Sequence, residues 1–301
     1  MTPPPAMSEF TAEEDRLGFF GPDSVSWRIH ADPSFSVGGI RALLLQALHP
    51  VAMDGVHQFS AGFRTDPWPR LTRTAEYVAT LTFGTRREAL RQVRRVRGMH
   101  HRLAGVEPTT GRSYRVDDPD LLLWVHNCEV DSLLSVARRA GVRLPEQDAD
   151  RYVAEQVTAA RLIGIPDADV PASVAALEEY FDRVRPELRL TAPARAAYGF
   201  IVLPPMPGWV QLLTPARPGW AGLASLAVAT LPRWARRMYG LPALGLTEPA
   251  TTATVKALRQ TALAVPARVR ESPIVRAARA RTNHPLSPEK HPARGGSPRP
   301  A

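Results

Sequence analysis

The stretch DPDLLLWVHNCEVDSLL, residues 118–134, indicates how the chain folds. Asp118 suits a helix N-cap, Pro119 suits the first helical position, and Asp120 adds an acidic group to the first turn. Apolar side chains then recur at helical spacing until Gly141, which is typical of a helix end. The stretch therefore predicts a long amphipathic α-helix with one face directed into an apolar core.

The same periodicity recurs along most of the chain, and no alternating strand pattern is longer than about four residues. Helices without strands between them predict an all-α fold, arranged as a single multi-helix domain. The other predicted helices cover 37–48, 68–83, 86–104, 146–163, 171–184, 190–200, 221–239 and 251–281.

Length and composition fit one globular domain. The 301 residues are 44% hydrophobic and 22% charged, which excludes a fibrous, collagenous or wholly disordered chain. Proline-rich ends predict a flexible N-terminus over 1–14, a domain over 15–281 and a disordered basic tail over 282–301. The net charge of +9 resides largely in the last 37 residues. We interpret the tail as a solubilising extension and predict no nucleic-acid partner; contact with anionic lipid or nucleic acid is the alternative.

Cysteine content and apolar patterning bear on the compartment. The single cysteine, Cys128, excludes an intramolecular disulfide, an iron–sulfur cluster and a cysteine-zinc site. The first 20 residues lack the basic and apolar regions of an export signal. Residues 196–216 are uncharged for long enough to span a bilayer, but four prolines interrupt them. These features predict a cytoplasmic protein, with peripheral membrane contact kept open; they do not indicate the oligomeric state.

The helical phase separates histidines that face the core from histidines that face solvent. On the helix predicted over 86–104, His100 shares a face with apolar residues, whereas His101 lies above Arg94 and Arg97. His126 also falls on an apolar face. A buried histidine is usually a core residue bonded to a carbonyl, but two inward histidines on consecutive helices favour a site.

Most familiar catalytic motifs are absent from the sequence. There is no Glu-x-x-His pair, no His-Glu-x-x-His, no Gly-x-Ser-x-Gly and no Cys-x-x-Cys-His for covalent haem. A single inward imidazole that serves as an axial haem ligand therefore remains open, beside the interpretation as a core histidine.

Arg70 and Thr74 lie four residues apart on a helical face that Val78 and Leu81 continue. A semi-buried arginine must pair with an anion, which is either a carboxylate of this protein, a haem propionate or bound oxygen. Thr74 has a structural alternative, since its hydroxyl could bond the backbone carbonyl of residue 70.

The sequence resembles the MpaB-type oxygenase family, which shares its catalytic domain with the latex-clearing rubber oxygenases. The resemblance covers roughly residues 20–275 and is strongest in YRVDDPDLLLWVHNCEVDSLL. The resembling blocks are GPDSVSWRIHADP (21–33), RALLLQALHPVAMDGV (41–56), RLTRTAEYVATLTFGT (70–85), VRRVRGMHHRLAGVEP (93–108) and 114–134.

This resemblance implies an all-α enzyme with non-covalent haem b in a pocket between helices, which uses dioxygen on an apolar, prenyl or unsaturated small molecule. It assigns the axial ligand to His100, and it places Arg70 and Thr74 in the haem pocket with His126 close by. Asp54 occupies the neighbourhood of a catalytic glutamate, and Arg73 stands where rubber oxygenases have lysine. The reaction is cleavage, oxidation or desaturation, and a haem sensor or carrier without turnover is the alternative.

Overall fold

A computed structural model describes residues 10–60, 66–208, 214–241 and 248–282. The predicted disordered tail lies outside these residues apart from Thr282. The predicted flexible N-terminus also lies outside them up to residue 9, and the first helix begins within its last part.

The described residues are almost entirely helical, so the predicted all-α class is confirmed. The helices are α1 Ala12–Leu17, α2 Val25–His30, α3 Phe35–Gln46, α4 Pro50–Phe59, α5 Trp68–Phe83, α6 Arg86–His100, α7 Pro119–Arg139, α8 Glu146–Ile163, α9 Val174–Val184, α10 Ala192–Val202, α11 Ala216–Thr230, α12 Arg233–Met238, α13 Glu248–Ala264, α14 Ala267–Arg270 and α15 Pro273–Thr282.

Prolines divide two segments that we predicted as single helices, so those predictions were wrong. The segment 221–239 is split between α11 and α12 at Pro232, and 251–281 is split into α13, α14 and α15 at Pro266 and Pro273. Proline lacks an N–H and restrains the residue before it, so it begins a new helix more readily than it continues one.

The segment after α6 also differs from the prediction. The helix ends at His100 instead of residue 104, and Ala104–Val106 (β1) pairs antiparallel with Ser113–Arg115 (β2). Tyr114, at the centre of β2, is buried and anchors this small hairpin to α4. The hairpin places the start of α7 beside the end of α6.

The apolar core is divided into a large part and smaller parts. The large part surrounds α3 and α7, which form the most extensive helix pair. Their close approach requires Gly38, where a Cβ atom would lie 2.9 Å from Cδ2 of Leu133. A second part joins Leu81 of α5 and Leu90 of α6 to Leu162 of α8. Neither α5 nor α6 packs extensively against α7, so a divide runs between the α5–α6 pair and the large core.

No single helix in the described part of the chain is long and apolar enough to cross a membrane. Helices α3 and α4 meet that test of length and composition only when they are joined, and they meet at an angle of 103°. Most of α3 is buried in the large core, which accounts for its apolar sequence.

Candidate functional site

Polar side chains from three helices lie half-buried along the divide between the α5–α6 pair and α7. Burial lowers the pKa of His100 on α6, and the positive charge of Arg70 on α5 adds to this effect. Burial likewise raises the pKa of Tyr77 on α5, and the charge of Glu129 on α7 adds to it. These effects indicate that Arg70 lies near His100 and that Glu129 lies near Tyr77. We call the set the cleft residues: Arg70, Tyr77, Arg97, His100, His126 and Glu129.

Two of the cleft residues combine accessible surface with strong desolvation. His126 and Glu129 are both half-buried, yet burial lowers the pKa of His126 to about 4 and raises that of Glu129 to about 7. A side chain in bulk water would keep its ordinary pKa. Both side chains are therefore surrounded largely by protein atoms, although part of their surface remains accessible.

His100 has an unsatisfied nitrogen. Its Nδ1 atom is buried and has no hydrogen-bond partner among the described residues. Burial is the main cause of its lowered pKa; Asp117 opposes the shift and Arg70 reinforces it. Buried imidazole nitrogens normally have a hydrogen-bond partner in native proteins. A neutral imidazole without one is suited to bind a metal ion or another ligand.

His101 contrasts with its neighbour. Its side chain is 70% exposed, and its Nδ1 lies 2.9 Å from a carboxylate oxygen of Asp117. The prediction that His100 faces inward and His101 faces solvent is therefore confirmed.

Arg70 and Thr74 have different surroundings, although they share a helical face. Arg70 is half-buried at the start of α5 and donates a hydrogen bond to the hydroxyl of Ser60, at the end of α4. Thr74 is exposed, and its hydroxyl donates to the backbone carbonyl of Arg70 at 3.0 Å. This hydrogen bond is the structural alternative for Thr74, and no other hydrogen bond joins Thr74 to a cleft residue in the described part of the chain.

Asp54 belongs to another cluster. It is buried, and its Oδ2 atom accepts hydrogen bonds from the hydroxyl of Tyr114 at 2.7 Å and from Nε2 of Gln58 at 2.8 Å. A Cβ atom at Gly105 would lie 2.7 Å from the hydroxyl oxygen of Tyr114, so the hairpin needs glycine there. None of the hydrogen bonds or ion pairs found for Asp54 joins it to the cleft residues. Its catalytic role stays a prediction, with anchoring of the hairpin as its visible role.

Comparison with known families assigns most of the chain. Residues 27–267 match the catalytic domain described as ER-bound oxygenase mpaB/B'/Rubber oxygenase. The chain belongs to this family. No curated protein and no solved structure matches it. Since the matched residues include all the cleft residues, the cleft lies within an oxygenase catalytic domain.

The resemblance implies haem, so the residues of this oxygenase domain can be compared with those that a haem group requires. Among the residues that the structure describes, no three His, Cys, Asp or Glu side chains come together as a metal site. Haem brings four nitrogen ligands of its own and needs from the protein one axial side chain and surrounding contacts. His100, with its buried unpaired nitrogen, and Arg70, with its half-buried charge, fit those needs.

Sequence reasoning missed three cleft residues of the oxygenase domain: Tyr77, Glu129 and Arg97, the last of which it placed on the solvent side of α6 although it is half-buried. Glu129 follows His126 by three residues and interrupts the apolar face that Leu122 and Leu133 define. An acidic residue on an inward face was the available signal. Tyr77 gave none, because a tyrosine on an apolar face is ordinary.

Proposed function

We propose that this oxygenase domain holds haem b through His100 and uses dioxygen to oxidise an apolar, prenyl or unsaturated small molecule. The observation that carries the proposal is the buried, unpaired nitrogen of His100 at the divide between α6 and α7. Membership of an oxygenase family supports turnover over the alternative of a haem sensor or carrier.

His100 would hold the cofactor, and haem would supply the activation of dioxygen. Burial keeps the imidazole neutral, which leaves a lone pair free for a metal ion. Its second ring nitrogen needs an acceptor to fix the ring orientation and basicity. The end of α6 supplies the rigid position that such a ligand requires.

Arg70 would act by charge. Its guanidinium stays positive at all ordinary pH values and presents several N–H donors in one plane. Its contribution to the lowered pKa of His100 supports a position close to that histidine. It is therefore suited to bind a carboxylate of the cofactor or to stabilise negative charge that develops on oxygen.

The proposed substrate class rests on the family, which is described as an mpaB and rubber oxygenase catalytic domain. An apolar pocket would exclude water and favour a hydrocarbon chain over a polar substrate. Leu122 and Leu133 of α7 pack into the large core.

Haem content tests the proposal, with His101 as the matched control for His100. The full chain, produced with ample iron and haem precursor, should show a Soret band that acid–organic extraction removes. We expect His100→Ala to lose most of the haem and His101→Ala to keep it, because His100 has an unsatisfied buried nitrogen whereas His101 is exposed and contacts Asp117.

Two results would count against the proposal. Wild-type protein that takes up no added haemin would remove haem from the function, and haem loss in His101→Ala alone would assign the ligand to the wrong histidine. Oxygen uptake with prenylated and polyunsaturated compounds, followed by mass spectrometry, then separates an oxygenase from a carrier.

A further inference from the structure

The outer side of α6 carries a row of arginines. Five of them are exposed, four within the helix and one in the turn that follows it. At 3.6 residues per turn, the four in the helix fall within a sector of about 100° and within about 12 Å along the helix axis. We call the set the basic face: Arg87, Arg91, Arg94, Arg95 and Arg102.

The fold uses other arginines of α6 for its own contacts. Arg86 is half-buried and pairs with an acid of α1 at 3.0 Å, and Arg97 is half-buried and donates to a backbone carbonyl of α8 at 3.2 Å. By contrast, Arg91, Arg95 and Arg102 make no hydrogen bond and no ion pair in the described part of the chain. Their charges are therefore available to a partner outside the fold.

Acidic residues do little to neutralise the basic face. Glu88 is the one acid in the sequence of α6, and its carboxylate accepts a hydrogen bond from the backbone N–H of the N-cap residue at 2.8 Å. Asp15 of α1 lies 3.7 Å from Arg87, at one end of the row. Beyond Glu88, α6 supplies no counter-charge to its own outer side, which therefore presents a positive field to solvent.

The basic tail leaves the described part of the chain near the start of this helix. Arg281, close to the end of α15, donates to the backbone carbonyl of Arg16 at 2.8 Å and to that of Phe83 at 2.5 Å. Phe83 ends α5, three positions before α6 begins. The sequence 283–301 contains one lysine, two arginines and one acid. Its net positive charge is therefore attached beside the basic face.

We propose that the basic face of α6 binds the surface of a membrane that contains anionic lipids. Such a surface carries a layer of negative charge that attracts basic residues, and the planar guanidinium group matches the oxygens of lipid phosphates. Met99 lies one turn after Arg95 and is 47% exposed. An apolar side chain at the edge of a basic surface can enter the head-group layer while the arginines stay with the phosphates.

A bilayer fits this surface better than a nucleic acid does. Proteins that bind single strands through a positive surface add aromatic side chains on which the bases stack. The basic face has no aromatic member, and the exposed large apolar residue of α6 is Met99. The charge and the exposed thioether side chain together therefore favour lipid.

The orientation of α6 relates the membrane to the cleft. The helical period places His100 on the side of α6 opposite to the basic face. A helix with its side chains is roughly 10–12 Å across, so the bilayer surface would lie about one helix diameter from the proposed haem ligand. The benefit of this position, a supply of apolar substrate close to the cleft, rests on the oxygenase function proposed above. The binding itself does not.

Vesicle sedimentation of the full chain tests the basic face. We expect the protein to bind vesicles of phosphatidylcholine mixed with phosphatidylglycerol, to leave vesicles of phosphatidylcholine alone unbound, and to be released by salt. Each basic residue at an anionic surface contributes a factor of about five to binding, so Arg91→Gln combined with Arg95→Gln should bind about 30-fold more weakly. Glutamine keeps the helix propensity of these exposed positions.

The matched control removes the same charge elsewhere. Arg138 and Arg143 are exposed near the end of α7, and their double change to glutamine should leave vesicle binding close to that of wild type. Circular dichroism and haem content should be unchanged in both double variants, which separates loss of binding from loss of fold.

Three results would overturn the proposal. They are equal binding to the two kinds of vesicle, wild-type binding by the Arg91→Gln, Arg95→Gln variant, and binding to RNA without binding to anionic vesicles. If removal of 283–301 alone abolished binding while that double variant bound normally, the tail and not α6 would make the contact. Protein that lacks haem but binds anionic vesicles through Arg91 and Arg95 would contradict the proposed function and support this proposal.

Discussion

Glu129 and Asp131 are two residues apart on α7 and have opposite surroundings. Asp131 accepts a hydrogen bond from Nη1 of Arg41 on α3 at 2.7 Å, and that same nitrogen lies 2.7 Å from the hydroxyl of Ser132. Glu129, about 200° around the helix, faces the divide and pairs with nothing in the described part of the chain. Asp131 links α7 to α3, whereas the carboxyl group of Glu129 has no partner in the described part of the chain.

This difference suggests a criterion: a buried polar group that is paired within the fold has a structural role, and one that is unpaired is a candidate for a functional role. The fold satisfies its deepest charges elsewhere too: Asp32 and Arg259 are both 6% exposed in their side chains and meet at 2.7 Å. Glu129 and Nδ1 of His100 have no such partner in the described part of the chain. Nδ1 of His100 is one of seven buried side-chain nitrogens found without a partner there, and the other six belong to asparagine and arginine side chains.

Removal of Asp131 should give the largest loss of stability. Asp131→Ala leaves the guanidinium of Arg41, whose side chain is 3% exposed, without its carboxylate. Breaking a buried pair in this way typically costs about 3–5 kcal/mol, and the partial exposure of Asp131 favours the lower end. Urea unfolding followed by circular dichroism measures the effect.

The control for this variant is Asp167→Ala. It breaks the exposed pair with Arg161, and exposed pairs contribute less than about 1 kcal/mol. If Asp131→Ala were as stable as wild type, Asp131 would have no structural role, and the contrast between Asp131 and Glu129 would no longer hold.

Glu129→Gln should increase the free energy of unfolding instead of lowering it, and the size of the increase should depend on pH. The pKa of Glu129 is raised from 4.5 to about 7 in the folded protein, so the unfolded chain releases this proton first. Stability therefore falls as pH rises from about 4.5 to about 7 and stays reduced above that range. The shift corresponds to about 3 kcal/mol at most, and Glu129→Gln should recover it at neutral pH and above.

The measurement is the difference in unfolding free energy between wild type and Glu129→Gln at several pH values. The lowered pKa of His126 makes both proteins less stable as pH falls from 6.5 towards 4, so this contribution cancels in the difference. A difference that does not grow with pH would mean that Glu129 is solvated or paired in solution.

Local signals predicted much of the fold. Residues 68–83 and 146–163 were predicted as helices with the bounds that α5 and α8 have, because their apolar period and their end signals agree. Helices were merged wherever proline fell inside a good period, as at Pro266. The hairpin of β1 and β2 was missed because strands of three residues are too short to show alternation.

The site was predictable only in part. Helical phase assigns His100 to the inside without any knowledge of the fold. The sequence gives no such guide to pairing, since Arg41 and Asp131 are 90 residues apart and meet only in the folded chain. Glu129 and Asp131 are therefore equivalent acids in the sequence, and tertiary contacts alone tell them apart.

Asp54 provides the smallest and last test, because it is an acid whose contacts resemble those of Asp131, whereas the resemblance places it in the neighbourhood of a catalytic glutamate. If Asp54 serves the hairpin, Tyr114→Phe should remove one of its two hydrogen bonds and cost about 1–2 kcal/mol in unfolding free energy. Turnover per haem should stay at the wild-type level. Tyr198→Phe is the matched control, since the hydroxyl of Tyr198 has no hydrogen bond among the described residues. If Tyr114→Phe instead kept its stability and changed the pH dependence of turnover, Asp54 would belong to the reaction, and a satisfied hydrogen-bonding set would no longer separate structural acids from chemical ones in this protein.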